Sequence, residues 1–186
     1  RGLFTSVFTK KGIGNNMSFL DNFLGNDLSH KDNAVAPYIA PLERRDYAAA
    51  VPLLKNAVRR DDARAMGLMA ALTALGRGVE KDPIDACNWF RQAANRGHVP
   101  SQAALGMCLA AGLGAPADNK EAAYWLYKAG VAGSTQAIEV LGALAYKDNS
   151  VVGPHFTEDD LCRLVISLRK ANGLNSAVPP AGALLH

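Results

Sequence analysis

Residues that announce chemistry are scarce in this sequence. Three cysteines, Cys87, Cys108 and Cys162, are too few and too scattered for a disulfide framework, and their odd number leaves one over. A reducing cytoplasm is the compartment this favours, with a periplasmic location after signal removal as the alternative. No C-x-x-C or H-x-x-x-H occurs, and His98 and Cys108 have no further ligand at metal-site spacing, so no metal is expected. No run of 18 apolar residues exists, so no membrane span is expected. Aromatics make up only 7% of a chain that is 49% hydrophobic. With alanine abundant, that balance favours closely approaching helices over a sheet sandwich. The formal charge of +3 comes from residues 1–16, where Arg1, Lys10 and Lys11 stand with no acid. The remainder is neutral, which gives no nucleic-acid footprint.

What the chain does have is a repeat. Sliding the sequence by 36 residues aligns Asp46, Asp82 and Asp118; Ala50, Ala86 and Ala122; Leu53, Trp89 and Trp125; and Ala57, Ala93 and Ala129. Gly76 meets Gly112, Gly78 meets Gly114, and Gly97 meets Gly133. Self-similarity of this period signals stacked units, none of which can bury its apolar face alone.

Each unit reads as a short helix A followed by a longer helix B. Helix A spans about Ala65–Leu75, Ser101–Ala111 and Ala137–Lys147; helix B spans about Asp46–Arg60, Pro83–Arg96 and Asn119–Ala132. Ala86, Trp89, Phe90 and Ala93 fall at i, i+3, i+4 and i+7, one face of a helix, where small alanines allow close approach and each Trp fills space between units. Asp82 before Pro83 reads as a helix cap, and Asp118 with Glu121 as a capping box. Pro52 should kink or delay the first helix B. A last helix B is expected over Thr157–Ala171, with Thr157 and Asp160 as its cap, and Asp27–Pro41 should run extended.

The segments A-x-x-x-L-G at Ala137–Gly142 (with Ser for Ala at Ser101–Gly106), G-x-G-V at Gly76–Val79 and D-x-x-x-A-x-x-W-x-x-x-A-A at Asp82–Ala94 resemble the Sel1-like repeat family, a relative of the tetratricopeptide repeat. Met69-Ala70 departs from the Leu-Gly of the pattern, and Thr73, Leu109 and Ala145 replace its tyrosine. The resemblance implies an all-α fold, an α/α solenoid of stacked antiparallel helix pairs over residues 46–173. It also implies an adaptor or scaffold role, with some family members serving as immunity proteins beside secreted toxins. Cysteine-rich relatives linked to cell-wall hydrolysis or penicillin binding pair cysteines within each repeat, which this chain does not do. Flanking the repeats, residues 1–16 precede the first methionine, Met17, and read as a tag, fused peptide or extension, with a native amphipathic arm as the alternative. Residues 17–45 read as a helix and an extended segment, and 174–186 as a tail.

No catalytic residues are expected. Asp61-Asp62 and Glu158-Asp159-Asp160 sit at helix ends, where negative charge complements the backbone dipole. The glycine pairs lie between helices with no Walker lysine after them, so no cofactor is expected. The tryptophans, being periodic, read as packing, and Cys87 and Cys108 as small apolar fillers. The binding surface implied by the resemblance is the inner face of the A helices: Arg64, Gly67 and Ala71; Pro100, Ala103 and Met107; Gln136, Glu139, Ala143 and Tyr146. Such small, apolar residues suit an apolar helix or extended segment. The occupant is either another protein or peptide, an effector or toxin among the options, or this chain's own Phe19, Leu20, Phe23 and Leu24.

Overall fold

A computed structural model describes residues 36–151, together with Phe23, Phe156, Thr157, Asp159, Asp160, residues 162–164 and Ile166. The readings of residues 1–16, of Phe19, Leu20 and Leu24, of most of Thr157–Ala171 and of the tail fall outside the described residues. Within residues 36–151 seven helices follow in order: α1 (Ile39–Glu43), α2 (Tyr47–Arg59), α3 (Ala63–Leu75), α4 (Pro83–Asn95), α5 (Val99–Ala111), α6 (Asn119–Val131) and α7 (Thr135–Lys147), before a 3-10 turn at Asn149–Val151. Among the described residues there is no strand. The A helices are α3, α5 and α7; the B helices are α2, α4 and α6. Each of the six is 13 residues long.

Local chemistry sets these boundaries. Asp82 and Asp118 cap α4 and α6 identically, each carboxylate accepting from the two backbone N–H groups at N2 and N3. Asp62 does the same for α3. The expected cap beyond α7 is also present: Thr157 Oγ1 accepts from Asp160 N at 3.2 Å while the Asp160 carboxylate accepts from Thr157 N at 2.9 Å. Two expectations are corrected. Helix α2 is not delayed by Pro52: it starts at Tyr47 and continues past the proline, whose missing N–H orphans only the carbonyl of exposed Ala48 in the first turn, where solvent can satisfy it. Within the segment expected to be extended, Ile39–Glu43 forms a helical turn that buries Ile39 and Leu42 at i and i+3.

Packing is chiefly between helices adjacent in sequence. Along the row of units the seams repeat. The backbone of Gly78 lies against Tyr47, the first residue of α2, and Gly114 lies against Pro83, the first residue of α4; a Cβ on Gly78 would stand 2.6 Å from Tyr47 Cβ. Matching backbone bonds run from Asp82 N to Thr73 O (3.1 Å) and from Asp118 N to Leu109 O (3.2 Å). At the third seam the glycine pair is lost, and Asn119 Nδ2 instead donates to Asp148 Oδ2 at 2.9 Å. Inside, Phe90 and Leu126 occupy the same register position and are fully buried. Each contributes about 2–3 kcal/mol by area removed from water. Trp125 is buried and Trp89 half-buried; each indole N–H donates one turn back, to Glu121 and Asp85 respectively.

Candidate functional site

The A helices set the candidate surface, and their inner positions divide into a closed part and an open part. Gly67, Ala71, Ala103 and Ala143 are buried. Gly67 shows why: a Cβ there would stand 2.5 Å from Ser101 Oγ and 3.0 Å from His98 Nδ1, so α3 and the start of α5 leave no room between them. At that register the surface is a helix seam. Arg64, Pro100 and Met107 are half-buried, while Gln136, Glu139 and Tyr146 are exposed. On α7 these last three share one face with Ala143, at spacings of three, four and three residues. Tyr146 is 60% exposed.

Helix α3 is buried continuously from Ala65 to Thr73. Its sequence, ARAMGLMAALTAL, is apolar around the whole circumference, the pattern of a helix covered on all sides. That signal was available in the sequence and outweighs register as a guide to exposure.

Phe23, one of the residues named above as an internal occupant, is itself described and is buried. Its ring stands edge-on to Phe90, centroids 5.4 Å apart, and to His98, at 6.3 Å. His98 is held by a 2.7 Å hydrogen bond between Nδ1 and Ser101 Oγ. At the first end of the array a hollow of about 350 Å³ is lined by Ala36, Pro37, Tyr38, Leu53, Asn56, Ala57, Arg60 and Asp62. Leu53 stands there at the register position of the two tryptophans. The Tyr38 hydroxyl donates to Asp62 Oδ2 at 2.9 Å.

Charge binds the units across their outer helices. Arg91 on α4 forms a two-pronged ion pair with Glu121 on α6, the second prong at 3.2 Å. Hydrogen bonding from Arg91 holds the Glu121 carboxyl below its usual range, and Glu121 in turn raises Arg91. This corrects the capping-box reading: Asp118 N already donates to Leu109 O, so Glu121 is left to face the neighbouring unit. Arg96 likewise clamps Asp61 at 2.6 Å, and its hydrogen bond lowers the Asp61 carboxyl. Neither acid is arranged as a general acid or base. Burial pushes the Cys108 thiol up to about 12, with Cys87 adding to the shift. Burial also raises Cys87, so both behave as packed apolar groups. Among the described residues no three His, Cys, Asp or Glu side chains gather as a metal site, and no helix is long and apolar enough to cross a membrane.

Two consecutive stretches, residues 63–98 and 99–134, match the family model of the Sel1 repeat. Residues 63–134 are two Sel1 repeats. Each matched stretch begins at the first residue of an A helix, Ala63 or Val99, so one Sel1 repeat here is one A–B helix pair with its following turn. The crystal structure of a Sel1 repeat protein from Oxalobacter formigenes is similar, with 27% identity and a TM-score of 0.55 over 72% of this chain. The chain spans about half, 51%, of that protein's length. No curated protein matches. The α/α solenoid of stacked Sel1 helix pairs thus stands on sequence register, helix packing and likeness to a solved structure together.

Proposed function

We propose that this protein is a non-catalytic interaction module, an adaptor or scaffold that holds a polypeptide segment of another protein along its A-helix face. The supporting observation is the open portion of that face. Gln136, Glu139 and Tyr146 project from α7, and Met107, Pro100 and Arg64 continue the row at its margin. An aromatic with 60% of its surface in water, set among amide, carboxylate and apolar neighbours, suits contact with an apolar segment carrying a few polar groups. The Arg91–Glu121 pair and the glycine seams hold successive units in fixed register beneath it.

The test starts from a partner captured from the native host and then purified. Tyr146→Ala and Met107→Glu should each weaken its binding by about tenfold, the scale of a moderate hot spot, while far-ultraviolet circular dichroism stays unchanged. Wild-type affinity in both variants would remove this face from consideration.

A further inference from the structure

Phe23 belongs to no repeat, yet only 8% of its surface is exposed. The two rings that receive it lie at either end of one turn between helices: Phe90 in α4, and His98 at the N-terminal boundary of α5. Their planes stand 77° and 80° from that of Phe23, so it meets both in the edge-to-face arrangement favoured by aromatic quadrupoles. The acceptor is built independently of Phe23. Ser101 holds the His98 ring through Nδ1, and the absence of a side chain at Gly67 is what lets that ring lie against α3. Three whole helices, α1, α2 and α3, separate Phe23 from Phe90 in the chain.

We propose that Phe23 is a removable occupant of an aromatic-accepting site at the α3–α4–α5 junction, so that this chain fills that junction itself. A partner segment presenting a phenylalanine or similar aromatic would compete with Phe23 for the site. The competition rests on the interaction reading above; the occupancy does not. The repeats have their own caps and seams, none supplied by Phe23. Burying one phenylalanine favours the closed form by roughly 10- to 100-fold before the ordering of its tether is subtracted. Such a contact predominates without being locked, which is the regime in which a competing ligand can displace it.

The experiment uses the full chain and a labelled synthetic peptide of residues 17–29, MSFLDNFLGNDLS, followed by fluorescence anisotropy. The Phe23→Ala chain should bind this peptide at least tenfold more tightly than the wild-type chain does, because the site stands vacant in the variant. A peptide carrying Phe23→Ala should bind neither chain, and adding His98→Ala to the Phe23→Ala chain should weaken binding of the unaltered peptide. Equal affinity of the wild-type and Phe23→Ala chains for the peptide would overturn the proposal. So would loss of cooperative unfolding in Phe23→Ala, since Phe23 would then be an obligatory part of the core. Neither result bears on Tyr146 or Met107, so the interaction reading fails or survives separately.

Discussion

Replacing Gly114 by alanine isolates what holds one unit to the next. Two terms act on this substitution. The residue has φ of +75°, a left-handed conformation that costs an alanine about 1–2 kcal/mol. The new Cβ would also overlap the carbonyl oxygen of Pro83, standing 2.5 Å from the Pro83 carbonyl carbon and 3.1 Å from Cys87 Cβ. These obstacles are the backbone and stem of a capped helix start, so the unit beginning at Val99 must shift relative to its predecessor. Overpacking of this kind costs about 1–3 kcal/mol more, for a total of about 2–5 kcal/mol. Gly133 supplies the control: its φ of +97° is also left-handed, but a Cβ there meets nothing within 4 Å. Gly133→Ala should therefore show only the conformational term. In urea titrations followed by circular dichroism, Gly114→Ala should lose about 1–3 kcal/mol more than Gly133→Ala. Equal losses would show that the glycine seam is not a tight contact and would remove the account of how units register.

Glu121→Gln should lower stability at neutral pH by about 0.5–1 kcal/mol, because the Arg91 pair is partly exposed and screened. The folded-state Glu121 carboxyl titrates below its ordinary value, so its contribution is present above about pH 4.3 and lost as pH falls through the depressed folded value. Unfolding curves of wild type and variant should accordingly converge in acid; a gap that persists there would contradict the pairing. Asn119→Ala should loosen the third seam by about 1 kcal/mol, read as faster amide exchange near Asp148, with unchanged exchange counting against that bond. Cys108, buried and with its thiol raised to about 12, should resist iodoacetamide in the native protein and react once urea unfolds it; prompt native labelling would contradict the burial.

The repeat was legible because its signals are local. An aspartate before a helix start, glycines at the turn and alanines at helical spacing act on residues a few positions away, and each recurs at the same offset. The helix starts at Tyr47, Pro83 and Asn119 follow that register throughout. Partnerships between units were not legible. Glu121 sits three residues after a capping aspartate, where a local role is available, and only the approach of α4 reveals Arg91 as its partner. Exposure on the inner face failed for a related reason. Register places Gly67 on that face, but what covers it, His98 and Ser101, arrives with the start of α5. The breadth of the apolar surface around α3 was the better sign, since a helix apolar all round must be enclosed. Phe23 was visible as one of four apolar residues in a short stretch; its choice of Phe90 and His98 depends on a junction that exists only after folding.

The seam at Gly114 presents the incoming unit with the same kind of surface that Gly78 meets one step earlier: the opening residue of the preceding outer helix. Copying the block from Ala63 to His98 in tandem would therefore lengthen the array by one repeat whose Gly78 again meets the first residue of an outer helix, Pro83 in place of Tyr47. A gene encoding such a protein can grow or shrink by whole rungs through unequal recombination, and each product inherits a joint that already fits.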